Sequence, residues 1–182
     1  ELGTRVRIVS NADARDLDLA GIPARGIIDG QIGLDATFTG NGFDFSRYVV
    51  MGDLTDAALI LPENLWTKPR GTPAALEMIA GRSSTGGLDI SRLAVLGDDV
   101  DIRGQAELAA DGLLLSAAFE RVIVGGRSDL SISAGRPDGS DGALDIRISG
   151  RFLDASDLIS NLVSGGLFSG EGAGAISLVA DI

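Results

Sequence analysis

Apolar and polar residues alternate with period two through most of this chain, and that alternation constrains the fold more than any other feature. From Ile28 the even positions read Ile28, Gly30, Ile32, Leu34, Ala36 and Phe38, while the odd positions read Asp29, Gln31, Gly33, Asp35 and Thr37. A strand sends successive side chains to opposite faces, so this segment has one apolar and one wet face. The pattern returns at Val100, Ile102, Gly104, Ala106 and Leu108, at Leu130, Ile132 and Ala134, and at Leu144, Ile146 and Ile148. It closes the chain at Ile176, Leu178, Ala180 and Ile182. Shorter stretches fill the gaps: Val6 and Ile8, Leu17 and Leu19, Leu76 to Ala80, Leu88 and Ile90, and Leu113, Leu115, Ala117 and Phe119. The last stripe changes parity before Val122 and Val124, which predicts a bulge at Glu120-Arg121.

Turn residues separate these runs. Asn41-Gly42, Asp111-Gly112, Gly125-Gly126 and the stretch Pro137 to Gly142 supply the positive backbone angles of tight hairpins. Strands that follow one another at such short intervals predict an antiparallel meander, because parallel pairing needs long crossovers. Two segments differ. Leu61 to Pro73 holds three of the five prolines and reads as a loop around Trp66, with one helical turn at Glu63 to Trp66. Asp154 to Ser164 reads as a short amphipathic helix, with Asp154 as N-cap, Leu158, Ile159, Leu162 and Val163 on one face, and Gly165 as its stop.

The expected fold is therefore mainly β: an antiparallel meander of roughly ten strands across a single segment, 1–182, with one short helix at 154–164. That many one-faced strands must cover their apolar side, and one helix is too small to do it. A barrel, a sandwich or a curved half-pipe lined by a ligand remain. Aromatic residues are only 4% of the chain. A small sandwich core usually contains bulky rings, so the thin filling favours a curved sheet with a lumen. Strands at both ends, and the lack of an initiator methionine or a leader, imply a section of a longer sheet.

Composition narrows function. There is no histidine and no cysteine among 182 residues. That removes His-based triads, thiol nucleophiles and most zinc or iron sites, so no enzyme and no cofactor are expected. A net charge of −11 argues against nucleic acid. Gly170 to Gly174 has the glycines of a phosphate loop but opens a strand, and so reads as a connector. Asp98, Asp99 and Asp101 match no calcium-loop spacing and read as a solvated turn. Trp66 reads as a packing plug. No pair of acids stands out for glycoside hydrolysis.

The order of the motifs resembles the AsmA-like family of bacterial proteins. Gly30-Gln31-Ile32 leads through Asn41-Gly42-Phe43-Asp44 to Leu59-Ile60-Leu61-Pro62. Further on come Arg103-Gly104, Gly126-Arg127-Ser128-Asp129-Leu130, Leu144 to Gly150 and the helix entry Phe152-Leu153-Asp154-Ala155. The resemblance implies a sheet curled into a half-pipe, in a periplasmic protein anchored in the inner membrane by a region outside this segment. It implies phospholipid transport between the two membranes, and relation to bridge-like lipid-transfer proteins. The partners implied are a phospholipid or other acyl-chain lipid and flanking repeats of the same chain. Ile28, Ile32, Leu34, Phe38, Ile102, Leu108, Leu130, Ile132, Leu144, Ile146 and Ile148 are the expected lining residues. Small residues at Gly30, Ala36, Gly104 and Ala106 are expected to widen the lumen and bend the sheet. The alternative is a β-sandwich or solenoid module that binds protein and no lipid.

Overall fold

The alternating segments form strands, and the strands lie side by side almost in chain order. The computed structural model describes residues 3–19, 25–60, 66–84, 86–126, 129–136, 143–151 and 176–181. The elements are β1 (Thr4–Ala12), α1 (Ala14–Leu19), β2 (Ile28–Gly30), β3 (Ile32–Asn41), β4 (Asp44–Asp53), β5 (Ala57–Ile60), β6 (Thr67–Lys68), β7 (Ala74–Arg82), β8 (Leu88–Gly97), β9 (Val100–Leu108), β10 (Leu114–Val124), β11 (Asp129–Gly135), β12 (Leu144–Arg151) and β13 (Ile176–Asp181). Ten strands form one sheet in the order β1-β3-β4-β7-β8-β9-β10-β11-β12-β13, and β2, β5 and β6 form a second. The fold is mainly β and antiparallel, as the alternation predicts.

The large sheet is open and uncurled, where the sequence pointed to a curled half-pipe. The two glycines expected to bend it explain part of the difference. Gly30 lies in the small sheet, with φ +124° and its α-carbon against the Asp56 carbonyl. At Gly104 the space is already filled: a β-carbon there would meet the Ala118 carbonyl at 2.5 Å and the Phe119 ring at 2.6 Å.

Four bulges keep the apolar side chains on one face. The register shifts leave Ser46, Ser91, Leu115 and Glu120 as extra residues in β4, β8 and β10. The Glu120 bulge stands where the parity change predicts it. The Leu115 bulge corrects the reading of that stripe: Leu114, not Leu113 or Leu115, stands opposite Leu108.

Three other expectations change. Leu17 and Leu19 belong to a helix, because Asp13 caps it: Asp13 Oδ1 accepts from the amides of Arg15 at 2.9 Å and Asp16 at 3.0 Å, and Asp16 answers on the Asp13 amide. The run from Ile28 breaks at Gln31, so Ile28 enters β2 and not the large sheet. Finally, β13 pairs with β12 in parallel, whereas the other pairings among the described residues are antiparallel. The stretch 152–175 supplies the long connection that parallel pairing needs. The expected helix at 154–164, the helical turn at Glu63 and the turns at Pro137–Gly142 and Gly170–Gly174 lie wholly or mostly outside the described residues.

The face opposite the apolar side chains carries the charge. Arg7 Nε donates to Asp35 at 2.8 Å, and Arg92 meets Glu77 at 3.0 Å. Arg103 and Arg121 stand directly opposite each other, and Asp101 relieves their repulsion by bonding both, at 2.7 and 2.9 Å.

Two predictions follow from this packing. Gly104→Ala should lower stability by about 1–3 kcal/mol, because backbone and ring must both move. Gly135→Ala, where nothing lies within 4 Å, should leave the urea midpoint unchanged or raise it. The second prediction concerns acid. The Arg7 hydrogen bond holds Asp35 below the ordinary carboxyl value of 3.8, and the Thr55 hydroxyl and amide do the same for Asp53. Depressed carboxyls contribute stability that is present above 3.8 and lost as pH falls through their folded values. The melting temperature should therefore fall as pH drops below about 4. Arg7→Gln with Thr55→Val should flatten that fall, and an unchanged slope would refute the assignment.

Candidate apolar binding face

Register alone assembles the candidate site. Cross-strand partners place Ile8, Ala36, Val50, Met78, Leu93, Gly104, Phe119, Ile132 and Ile148 in one line across nine strands. A second line on the same face reads Ser10, Leu34, Gly52, Leu76, Val95, Ile102, Val122, Leu130 and Gly150. A third reads Val6, Phe38, Tyr48, Ala80, Ile90, Ala106, Ala117, Ala134 and Ile146. No charged side chain stands in any of the three. Eight steps of about 4.8 Å make each line roughly 38 Å long.

The middle of the third line is built of small residues. Ala80, Ala106, Ala117 and Ala134 lie between a row of Met78, Leu93, Phe119 and Ile132 on one side and Leu88, Leu108, Leu114 and Leu144 on the other. The result is a trough floored by methyl groups and interrupted by Ile90, running across the strands. Most of the side chains along it are half-buried. The large side chains are fully buried only at its margins, although Ala80 and Ala117 on the floor are buried as well.

One margin is a cap at the strand ends. Helix α1 and the small sheet cover Ala12, Ile32, Leu54, Ala74 and Val100, with Leu17 and Ala57 packed among them. Trp66 plugs this cap as its sequence context predicts. It lies over Gly125, where a β-carbon would meet its Cδ1 at 3.1 Å, and its Nε1 donates to Asp99 Oδ2 at 3.1 Å. Lys68 is fully buried here. Its Nζ donates to the carbonyls of Thr72 at 2.8 Å and Pro69 at 3.2 Å, which ties the loop after β6 to the core. Burial pushes its ammonium below the usual lysine value, and Asp53, Asp99 and Asp56 partly offset that. The other margin is the cluster of Leu130, Leu144, Ile146 and Ile148 on β11 and β12.

Ten of the eleven expected lining residues share the apolar face. Ile32 lies under the cap. Leu34, Phe38, Ile102, Leu108 and Ile132 are half-buried, and Leu130, Leu144, Ile146 and Ile148 are buried. Ile28 packs against the cap cluster from the small sheet instead. Sequence reasoning missed Tyr48, Val50, Leu93 and Val95. In β4 both faces carry apolar residues, with Val49 and Met51 on the polar side, so alternation is invisible there. In β8 the Ser91 bulge reverses parity between Ile90 and Leu93. The stripe of Leu76, Met78 and Ala80 was visible in the alternation.

A shallow concavity of about 610 Å³ opens on the other face, beside Val9, Asn11, Asp35, Met51, Asp53 and Ala75. Its carboxylates are already engaged, Asp35 by Arg7 and Asp53 by Thr55. Among the described residues no helix is long and apolar enough to cross a membrane. No family model, no curated protein and no solved structure matches this chain.

Proposed function

We propose that the apolar face of the large sheet is an acyl-chain surface, and that the chain is a segment of an AsmA-like lipid-transport protein. In this reading it acts at the periplasmic side of the inner membrane, takes part in phospholipid movement toward the outer membrane, and does no covalent chemistry. One observation carries the reading: three uncharged lines cross nine strands without a break, and most side chains between their margins are only partly buried. Soluble proteins rarely expose continuous apolar surface beyond a few hundred Å² unless something binds there.

The physics suits a moving ligand. Each methylene removed from water contributes about 0.8 kcal/mol, so two acyl chains are held firmly. Side chains without charge or fixed hydrogen-bond geometry bind every position of a chain alike, so a lipid can slide along the trough. The alanine floor from β7 to β11 spans four steps, about 19 Å, which exceeds the hydrocarbon depth of one leaflet, roughly 15 Å, so an acyl chain fits along it.

Leu93→Asp combined with Phe119→Asp places two charges on the trough margin. Organic extraction and mass spectrometry of the purified chain should find acyl lipid in the unsubstituted protein and little in the double variant, with the circular dichroism of both unchanged. A folded, monomeric, lipid-free unsubstituted protein would favour a protein-binding β module. An unfolded double variant would make these residues an ordinary core.

A further inference from the structure

The two ends of the strands are unlike. One end is closed by α1, the small sheet and Trp66. The other ends in hairpins, and the one joining β3 to β4 is unusual. Four of the chain's eight aromatic residues fall within 38–48. Phe38 packs against Phe45 and Tyr48, each at a centroid distance of 5.8 Å, and the Tyr48 hydroxyl donates to the Phe45 carbonyl at 2.9 Å. Phe43 takes no part in that cluster. It sits at the tip, after Gly42 with φ +60°, and is 97% exposed.

The charge at this corner also departs from the rest of the chain. The protein carries −11 overall, yet Arg5, Arg47 and Arg82 stand around the hairpin against Asp44 and, two strands beyond Arg47, Asp89. Arg5 and Arg47 flank Thr39 in adjacent strands and are exposed, and Arg82 bonds Asp44 at 2.8 Å. An aromatic tip with a cationic collar matches a bilayer interface: rings settle at headgroup depth and arginines meet anionic phosphates.

We propose that the β3–β4 hairpin is a lip that docks on an anionic bilayer, Phe43 entering the headgroup region with Arg5 and Arg47 at the phosphates. Acyl chains would then reach the apolar face from this end, past Phe38 and Phe45. That route rests on the acyl-chain reading, while the docking itself does not.

Flotation with vesicles of phosphatidylglycerol and phosphatidylcholine in equal parts tests the docking. The unsubstituted chain should float with them, and added salt should release it. Phe43→Ser should reduce the bound fraction about tenfold. Arg5→Ser with Arg47→Ser should weaken binding to the mixed vesicles and leave any binding to pure phosphatidylcholine unchanged. In Phe43→Trp, brominated acyl chains should quench fluorescence beyond the Trp66 background. An unsubstituted chain that does not float, a Phe43→Ser variant that floats equally well, or an unquenched Trp overturns the proposal. So does Phe43-dependent self-association without vesicles, which would make the tip a protein contact. Binding of a fluorescent fatty acid in vesicle-free buffer reads the apolar face separately. Its loss in the unsubstituted chain defeats the acyl-chain reading and leaves docking to be judged by flotation.

Discussion

Keeping every large apolar side chain on one side of a ten-strand sheet requires a remedy wherever the alternation slips. A slip of one residue would turn all later side chains of that strand to the wrong face. Here the remedy is an extra residue at Ser46, Ser91, Leu115 or Glu120, three of them polar. Each bulge lets the pairing resume in phase, so Leu93 and Ile90 face the same way although they are three positions apart. The uninterrupted apolar lines depend on these insertions as much as on the apolar residues themselves.

The face so produced has different fates along its area. Beneath α1 and the small sheet it is an ordinary dry core, tight enough to bury Lys68 completely. At β11 and β12 it is dry again. Between those margins most of its large side chains are only partly buried, and there the small residues Ala80, Ala106 and Ala117 lower the floor. The cap also gives the molecule a direction, since only one set of strand ends is closed by it.

Most of the sheet was legible because period two is a local signal with one meaning. The lines through Ile32–Phe38, Ile102–Leu108 and Ile146–Ile148 could be read directly. What escaped had physical causes. In β4 both faces are apolar, so Val50 and Met51 look alike. Ile28 shares the parity of Ile32, but the positive φ of Gly30 sends it to another sheet. Asp13 turned an apparent strand at Leu17 into a helix through capping that alternation does not register. Gly104 was read as an opening, yet a ring from the neighbouring strand occupies it. Curl is a property of the whole sheet, and no single strand encodes it.

The parallel pairing of β13 with β12 bears on how the molecule assembles. From β7 to β12 each strand joins the one before it through a short connection, so neighbours can zip together with little loop closure. The last strand must instead wait for β12 and for closure of a much longer connection, residues 152–175. Its arrival is a late event, and its departure an early one, so amide exchange should wear the sheet away from that edge inward.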